Sequence, residues 1–249
     1  MIPLIRAEVL KLRTTRVFLG LCGATVLFTV LGVVAGVLSA GSSGSPELGT
    51  AASVRNIFGS GGPAALFALV LGILSVTGEL RHGTITQTFL VTPRRTRVVA
   101  AKLAAMLVAG TALGVLAAVV ATAVAWPWLA AKDVSVSLLS ADVGPVLAAV
   151  VVGAALFGVI GVGVGALIRN QIAAVVAALV WEFVLEAILI GVVPAVGKWL
   201  PGGAARGLTR ETLSSGNLLP AWGAGLVLLA YGLAFAVAGS QLLVRRDVT

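Results

Sequence analysis

Hydrophobic residues in this chain arrive in long unbroken runs, not in the alternation of a strand or the stripes of a soluble helix. Six runs stand out, near residues 17–39, 62–78, 103–125, 144–168, 172–193 and 221–244. At about 1.5 Å per residue each can cross a hydrocarbon core about 30 Å thick, the second being the shortest and the least sharply bounded. A membrane barrel would instead present short alternating segments. The pattern therefore predicts an all-α integral membrane protein with six transmembrane helices. Residues 17–249 would form one transmembrane domain, and residues 1–16 a segment of different character.

Composition agrees with that division. Of the 249 residues, 59% are hydrophobic and 10% charged, and the mean hydropathy is +1.11, whereas a soluble domain carries about a quarter charged residues. The net charge of +8 raises nucleic acid as a partner, but the placement of the charges argues against it. Twelve of the 17 basic residues fall on one set of alternate connections: Arg6, Lys11, Arg13 and Arg16 before span 1, Arg81, Arg94, Arg95, Arg97 and Lys102 between spans 2 and 3, Arg169 after span 4, and Arg245 and Arg246 after span 6. The other five (Arg55, Lys132, Lys198, Arg206, Arg210) fall opposite. The positive-inside rule then puts both termini in the cytoplasm, and the basic balance reports topology, not nucleic-acid binding.

The first 16 residues place Ile2, Ile5, Val9 and Leu12 on one helical stripe, with Arg6, Glu8 and Arg13 beside it. An interfacial amphipathic helix and a plain charged anchor both fit. The apolar run that follows exceeds the core of a signal peptide and is expected to be a retained helix.

Several chemistries lack their parts. Cys22, the only Cys, lies inside span 1, and His82, the only His, lies in a polar loop, so thiolate and histidine metal sites and a Ser-His-Asp triad have no basis. Gly191 to Trp199 imitates a phosphate-binding loop, but five residues separate its two glycines where the motif has four, and Trp199 stands where Ser or Thr would hold Mg²⁺. No catalytic residue, metal site or cofactor is expected in this chain.

Two features invite function. Glycines recur inside spans, and Gly158, Gly161 and Gly165 mark the fourth as the expected buried helix. Span 5 carries Glu182 and Glu186 four residues apart on one face, about 18 and 24 Å along the helix from Asn170. Such acids must face protein or water. Either they line a pathway or a dimer seam, or they are neutral groups that hold helices together; Glu186 could reach Lys198, Arg206 or Arg210.

The longest polar stretch, GELRHGTITQTFLVTPRRTRVVAAK from Gly78 to Lys102, separates spans 2 and 3. Ile85, Thr88 and Phe89 give a short helix an apolar edge before Pro93 stops it. From these residues alone, a helix lying on lipid and a helix covered by a partner stand level. The series Glu79, Arg81, Gly83, Thr84, Ile85, Phe89, Leu90, Thr92, Pro93, Arg94, Arg95 and Lys102 resembles the first cytoplasmic loop of ABC transporter permeases of the type-2 exporter family. The basic start with Glu8, Lys11, Leu12 and Arg13, and the long outer loop before the last span, fit the same family.

The resemblance implies a membrane-spanning permease subunit of an exporter. It has no ATPase of its own and pairs with a second permease chain, as homodimer or heterodimer, above two separate ABC ATPase subunits that bind ATP and Mg²⁺. The short helix between spans 2 and 3 would be the coupling helix: Thr84, Ile85, Thr88, Phe89 and Leu90 would dock on the ATPase, while Glu79, Arg81, Gly83 and Pro93 brace the loop. Residues 194–220 would form a re-entrant or lid-like helix, and membrane lipid would surround the rest. The substrate would be amphiphilic, lipid-like, peptide or drug-like, and the location a bacterial cytoplasmic membrane. A non-transporting membrane scaffold or assembly protein, or a secondary transporter, is the alternative, although no repeat relates the two halves.

Overall fold

The computed structural model describes residues 2–42, 44–84, 94–138, 140–168, 170–211 and 218–245. Among these there is no strand, and six helical stretches are long and apolar enough to cross a membrane. They match the six expected runs, with two differences of length. The second stretch covers residues 51–81, because α3 (Ala51–Phe58) and a 3-10 turn (Gly59–Gly61) run into α4 (Pro63–Arg81). The third, α5 (Arg95–Ala130), continues past Trp126, Pro127 and Trp128, which the hydropathy pattern places beyond its end.

The N-terminal segment folds as α1 (Ile2–Thr14), followed at once by span 1, α2 (Arg16–Ser39). Val9 and Leu12 pack with Phe18, Leu21 and Cys22 against the core. Glu8 is buried as well, so it does not flank the apolar stripe as a solvated residue.

Span 4, α6 (Gly144–Leu167), is the axis of the bundle and packs on α4, α5 and the last span, α11 (Ala221–Arg245). The glycine expectation holds here. A Cβ on Gly158 would lie 2.8 Å from the Met106 carbonyl and one on Gly165 2.8 Å from that of Ile73, and Gly161 meets the backbone of α4 at Leu69 and Gly72 more tightly still. With no side chain between them, the helix backbones touch, which is how packing holds helices together without a hydrophobic driving force. By contrast α2, span 5 and α11 turn Leu19, Leu31, Ile172, Phe183 and Trp222 outward, as surfaces met by lipid or another chain do.

Span 5 is not one regular helix. It comprises α7 (Gln171–Val180), a π-helical turn (Trp181–Leu185) and α8 (Glu186–Val192). Two short helices follow, α9 (Pro194–Gly197) and α10 (Pro201–Leu208), the second packed on α11 with Gly202, Gly203, Ala204 and Gly207 buried.

Candidate functional site

Two buried charge clusters occupy opposite ends of the bundle. At the α1 end, the Lys102 ammonium donates to Glu8 Oε2 at 2.9 Å, to Glu79 Oε1 at 3.0 Å and to the Ser75 carbonyl at 2.9 Å. Lys11, one turn beyond Glu8, completes the cluster, reaching Glu8 Oε1 at 2.7 Å and Glu79 Oε1 at 2.9 Å. The Lys102 side chain is only 3% exposed, and its two carboxylates 9% and 12%. Each group comes from a different place: α1, the last turn of α4, and the second turn of α5. An ammonium has three donors and no acceptor, and Lys102 has three acceptors converging on it, so the charge is both neutralised and hydrogen-bonded.

The local electrostatics follow from that geometry. Burial alone would push the Glu8 carboxyl up, but Lys102 and Lys11 more than offset it and hold the group below its usual range. For Lys11, burial pulls downward, and hydrogen bonds to Glu8 and Glu79 carry it above the ordinary lysine value. Glu79 Oε2 is buried without a hydrogen bond among the described residues.

This cluster sits at the stem of the loop between spans 2 and 3. Glu79 belongs to it directly. Arg81 ends α4 and is exposed, and Gly83 takes a left-handed φ of +67° just after the helix, where glycine bears no steric penalty. Thr84 is exposed. Ile85, Thr88, Phe89, Leu90 and Pro93 lie outside the described residues. Lys102 stands seven residues into a helix that starts earlier than hydropathy suggests, and its pairing with Glu8 was not foreseen from sequence. The signal was present: the i,i+3 pair Glu8 and Lys11, and opposite charges at the facing ends of consecutive spans.

At the far end, Glu186 is 1% exposed. Its Oε2 accepts from the Gly202 amide at 2.6 Å and the Gly203 amide at 3.3 Å, and its Oε1 from the Trp181 indole at 2.6 Å. These are the second and third residues of α10, whose N-cap Leu200 offers no side-chain acceptor. The first amides of a helix have no partner within it, and a carboxylate there also meets the positive end of the helix dipole. Glu186 thus caps a helix that lies 16 residues further along the chain. The π turn, closed by the Glu186 amide on the Trp181 carbonyl, accompanies that placement. Hence neither Lys198 nor Arg210 holds Glu186. Among the basic residues considered from sequence, only the field of Arg206 bears on it.

Glu182 lies on the same face, against Gly202: a Cβ on that glycine would meet Glu186 Oε2 at 2.5 Å and Glu182 Oε1 at 2.7 Å. Glu182 forms no ion pair within 4 Å among the described residues, and Arg206 is the cation whose charge reaches it. It faces a cavity of about 730 Å³ bounded by α2, α3, α4, α6, span 5 and α10. Glu186 does not line that cavity, so the structure gives the two acids different surroundings.

Six apolar helices around a glycine-packed axis define a multi-pass helical membrane protein. No cluster able to hold a metal occurs among its described residues. Residues 4–185 match the family described as ABC-2 family transporter protein, so the chain belongs to that family, the non-catalytic transmembrane component of transporters that work with an ABC ATPase. No curated protein matches it.

Proposed function

We propose that this chain is the permease subunit of an ATP-driven exporter, moving an amphiphilic, lipid-like, peptide or drug-like compound with ATP hydrolysed by a separate ABC ATPase that also holds the Mg²⁺. Both termini are cytoplasmic, and residues 17–249 form one transmembrane domain preceded by the interfacial segment 1–16. Two permease chains build the pathway in a bacterial cytoplasmic membrane. The family match gives the class. The observation that carries the mechanism is the Lys102 cluster, which binds α1, the end of α4 and the start of α5 at the stem of the segment that would dock on the ATPase.

Closure of an ATPase pair on ATP displaces whatever is wedged into it, and a displacement is useful only if it reaches the spans. A docking helix at residues 84–90 would hang between α4 and α5, which Glu79 and Lys102 tie to each other and to α1. Movement of that helix then carries α1, span 2 and span 3 together, and span 2 packs directly on the central span 4.

Ile85→Asp or Phe89→Asp should leave the permease inserted but abolish copurification of the ATPase, since an apolar contact cannot accept an unpaired charge. Assembly and transport by both variants would assign docking elsewhere. In a Cys22→Ser background, an impermeant thiol reagent should label Gly216→Cys but not Thr96→Cys in intact cells; labelling at position 96 would overturn the orientation.

A further inference from the structure

The cavity beside Glu182 has an apolar part and a charged part. Phe28, Phe67, Phe157 and Phe183 contribute aromatic wall from four different spans, Phe28 and Phe67 meeting edge to face at 5.7 Å. Phe28 and Phe183 are also exposed and form its rim. The charged wall consists of Arg55, Arg206, Glu182 and Glu211. A volume of about 730 Å³ is that of a site for a drug-sized molecule.

The charges in this wall are not equivalent. Arg55 pairs with Asp142, its NH1 donating to Oδ1 at 2.8 Å, while its buried Nε has no hydrogen-bond partner among the described residues. Arg206 and Glu211 face each other at 4.0 Å. Glu186, the nearest other acid, spends its oxygens on the α10 amides and the Trp181 indole. Glu182 is left as the acid in the wall without an ion pair within 4 Å among the described residues. A carboxylate in such a place is costly unless a positive charge joins it, and aromatic faces also attract cations.

We infer that this cavity binds an amphipathic organic cation, with Glu182 as the counter-charge to its head and the four phenylalanines around its apolar body. The inference rests on the exporter reading for the fate of the ligand, which would be the transported substrate, while binding itself requires no ATPase. Anionic amphiphiles are disfavoured, because both arginines in the wall already face carboxylates and Glu182 would repel the head.

Tetraphenylphosphonium and tetraphenylborate share size and shape and differ in the sign of their charge. Titrated onto the purified full chain in phosphatidylcholine nanodiscs, with empty nanodiscs subtracted, the cation should bind saturably and the anion should not. Glu182→Gln should weaken cation binding at least tenfold, and Glu182→Asp should keep the preference for the cation. Arg206→Gln, which removes a competing positive charge, should tighten binding several-fold, and Glu47→Gln, at an exposed acid away from the cavity, should change nothing. Equal binding of the two ions, unchanged cation affinity in Glu182→Gln, or an equal loss in Glu47→Gln would overturn the site. If Glu182→Gln fails to accumulate, Arg206→Gln decides, and an unaltered affinity there rejects the counter-charge. Cation binding by a chain whose assembled complex exports nothing on ATP would overturn the exporter reading and leave the site standing; ATP-driven export without cation binding would do the reverse.

Discussion

The two ends of the bundle handle buried charge in opposite ways. At the α1 end a single ammonium on α5 is surrounded by two carboxylates and a carbonyl drawn from α1 and α4, and a second lysine closes the set. At the far end no cation among the described residues touches Glu186, and its oxygens are met by backbone amides and an indole. An ion cluster of the first kind joins helices and leaves little charge outstanding. A carboxylate on a helix N-terminus joins one short helix to one span and leaves its neighbour Glu182 open to a cavity. The first arrangement suits a part that transmits movement as a unit, and the second suits a wall that also meets a ligand.

The comparison breaks most severely at Lys102. Lys102→Met leaves Glu8 and Glu79 without their buried cation and with only the half-exposed Lys11 between them, and removal of one partner from a buried ionic set costs about 3–5 kcal/mol. The expected result is a large fall in thermal midpoint in detergent, or failure to accumulate, with partial recovery in the triple variant Lys102→Met, Glu8→Gln, Glu79→Gln. A midpoint within a degree or two of the parent would mean the cluster does not hold the helices.

At the far end the effect is smaller and local. Glu186→Ala strands the first amides of α10 and the Trp181 indole, a loss of about 2–3 kcal/mol for hydrogen bonds to a charged group. The bundle should survive while α10 loosens, so a cysteine replacing the buried Ala204 in a Cys22→Ser background should react faster with a thiol reagent. Gly202→Ala should loosen α10 similarly, since its Cβ would lie 2.5 Å from Glu186 Oε2. Unchanged reactivity in both variants would remove the capping role.

The smallest effect sharpens the α1 end. Glu8 titrates below its ordinary value, so its contribution to stability is present above the unfolded carboxylate pKa and lost as pH falls through the lower folded value. Lys11 titrates above its ordinary value, so its contribution is present below the unfolded lysine pKa and lost as pH rises through the folded one. Between these limits the cluster should be insensitive to pH. Lys11 is half exposed, so solvent screening leaves Lys11→Met a cost of about 0.5 kcal/mol. That variant should keep the acid-side loss and lack the lysine part of the alkaline loss, measured as thermal midpoint against pH. An unaltered alkaline limb would place Lys11 outside the cluster.

What the sequence determined by itself is whatever depends on residues adjacent along the chain. Unbroken apolar runs have one stable solution in lipid, so six helices follow from hydropathy alone, and closely spaced glycines in one run mark the helix that others touch, as Gly158 and Gly161 do. Two acids four apart must share a face, so Glu182 and Glu186 were visible as a pair. The tertiary structure decided what could not be local. Helix α5 begins before its apolar run because Lys102, polar by sequence, becomes part of the interior once Glu8 and Glu79 arrive from other helices. Glu186 needs no basic residue, because folding brings it the unpaired amides of α10, a partner with no signature in side-chain identity. The two glutamates part company for the same reason: only the packing of α10 and the surrounding spans puts one against a helix end and the other at a cavity.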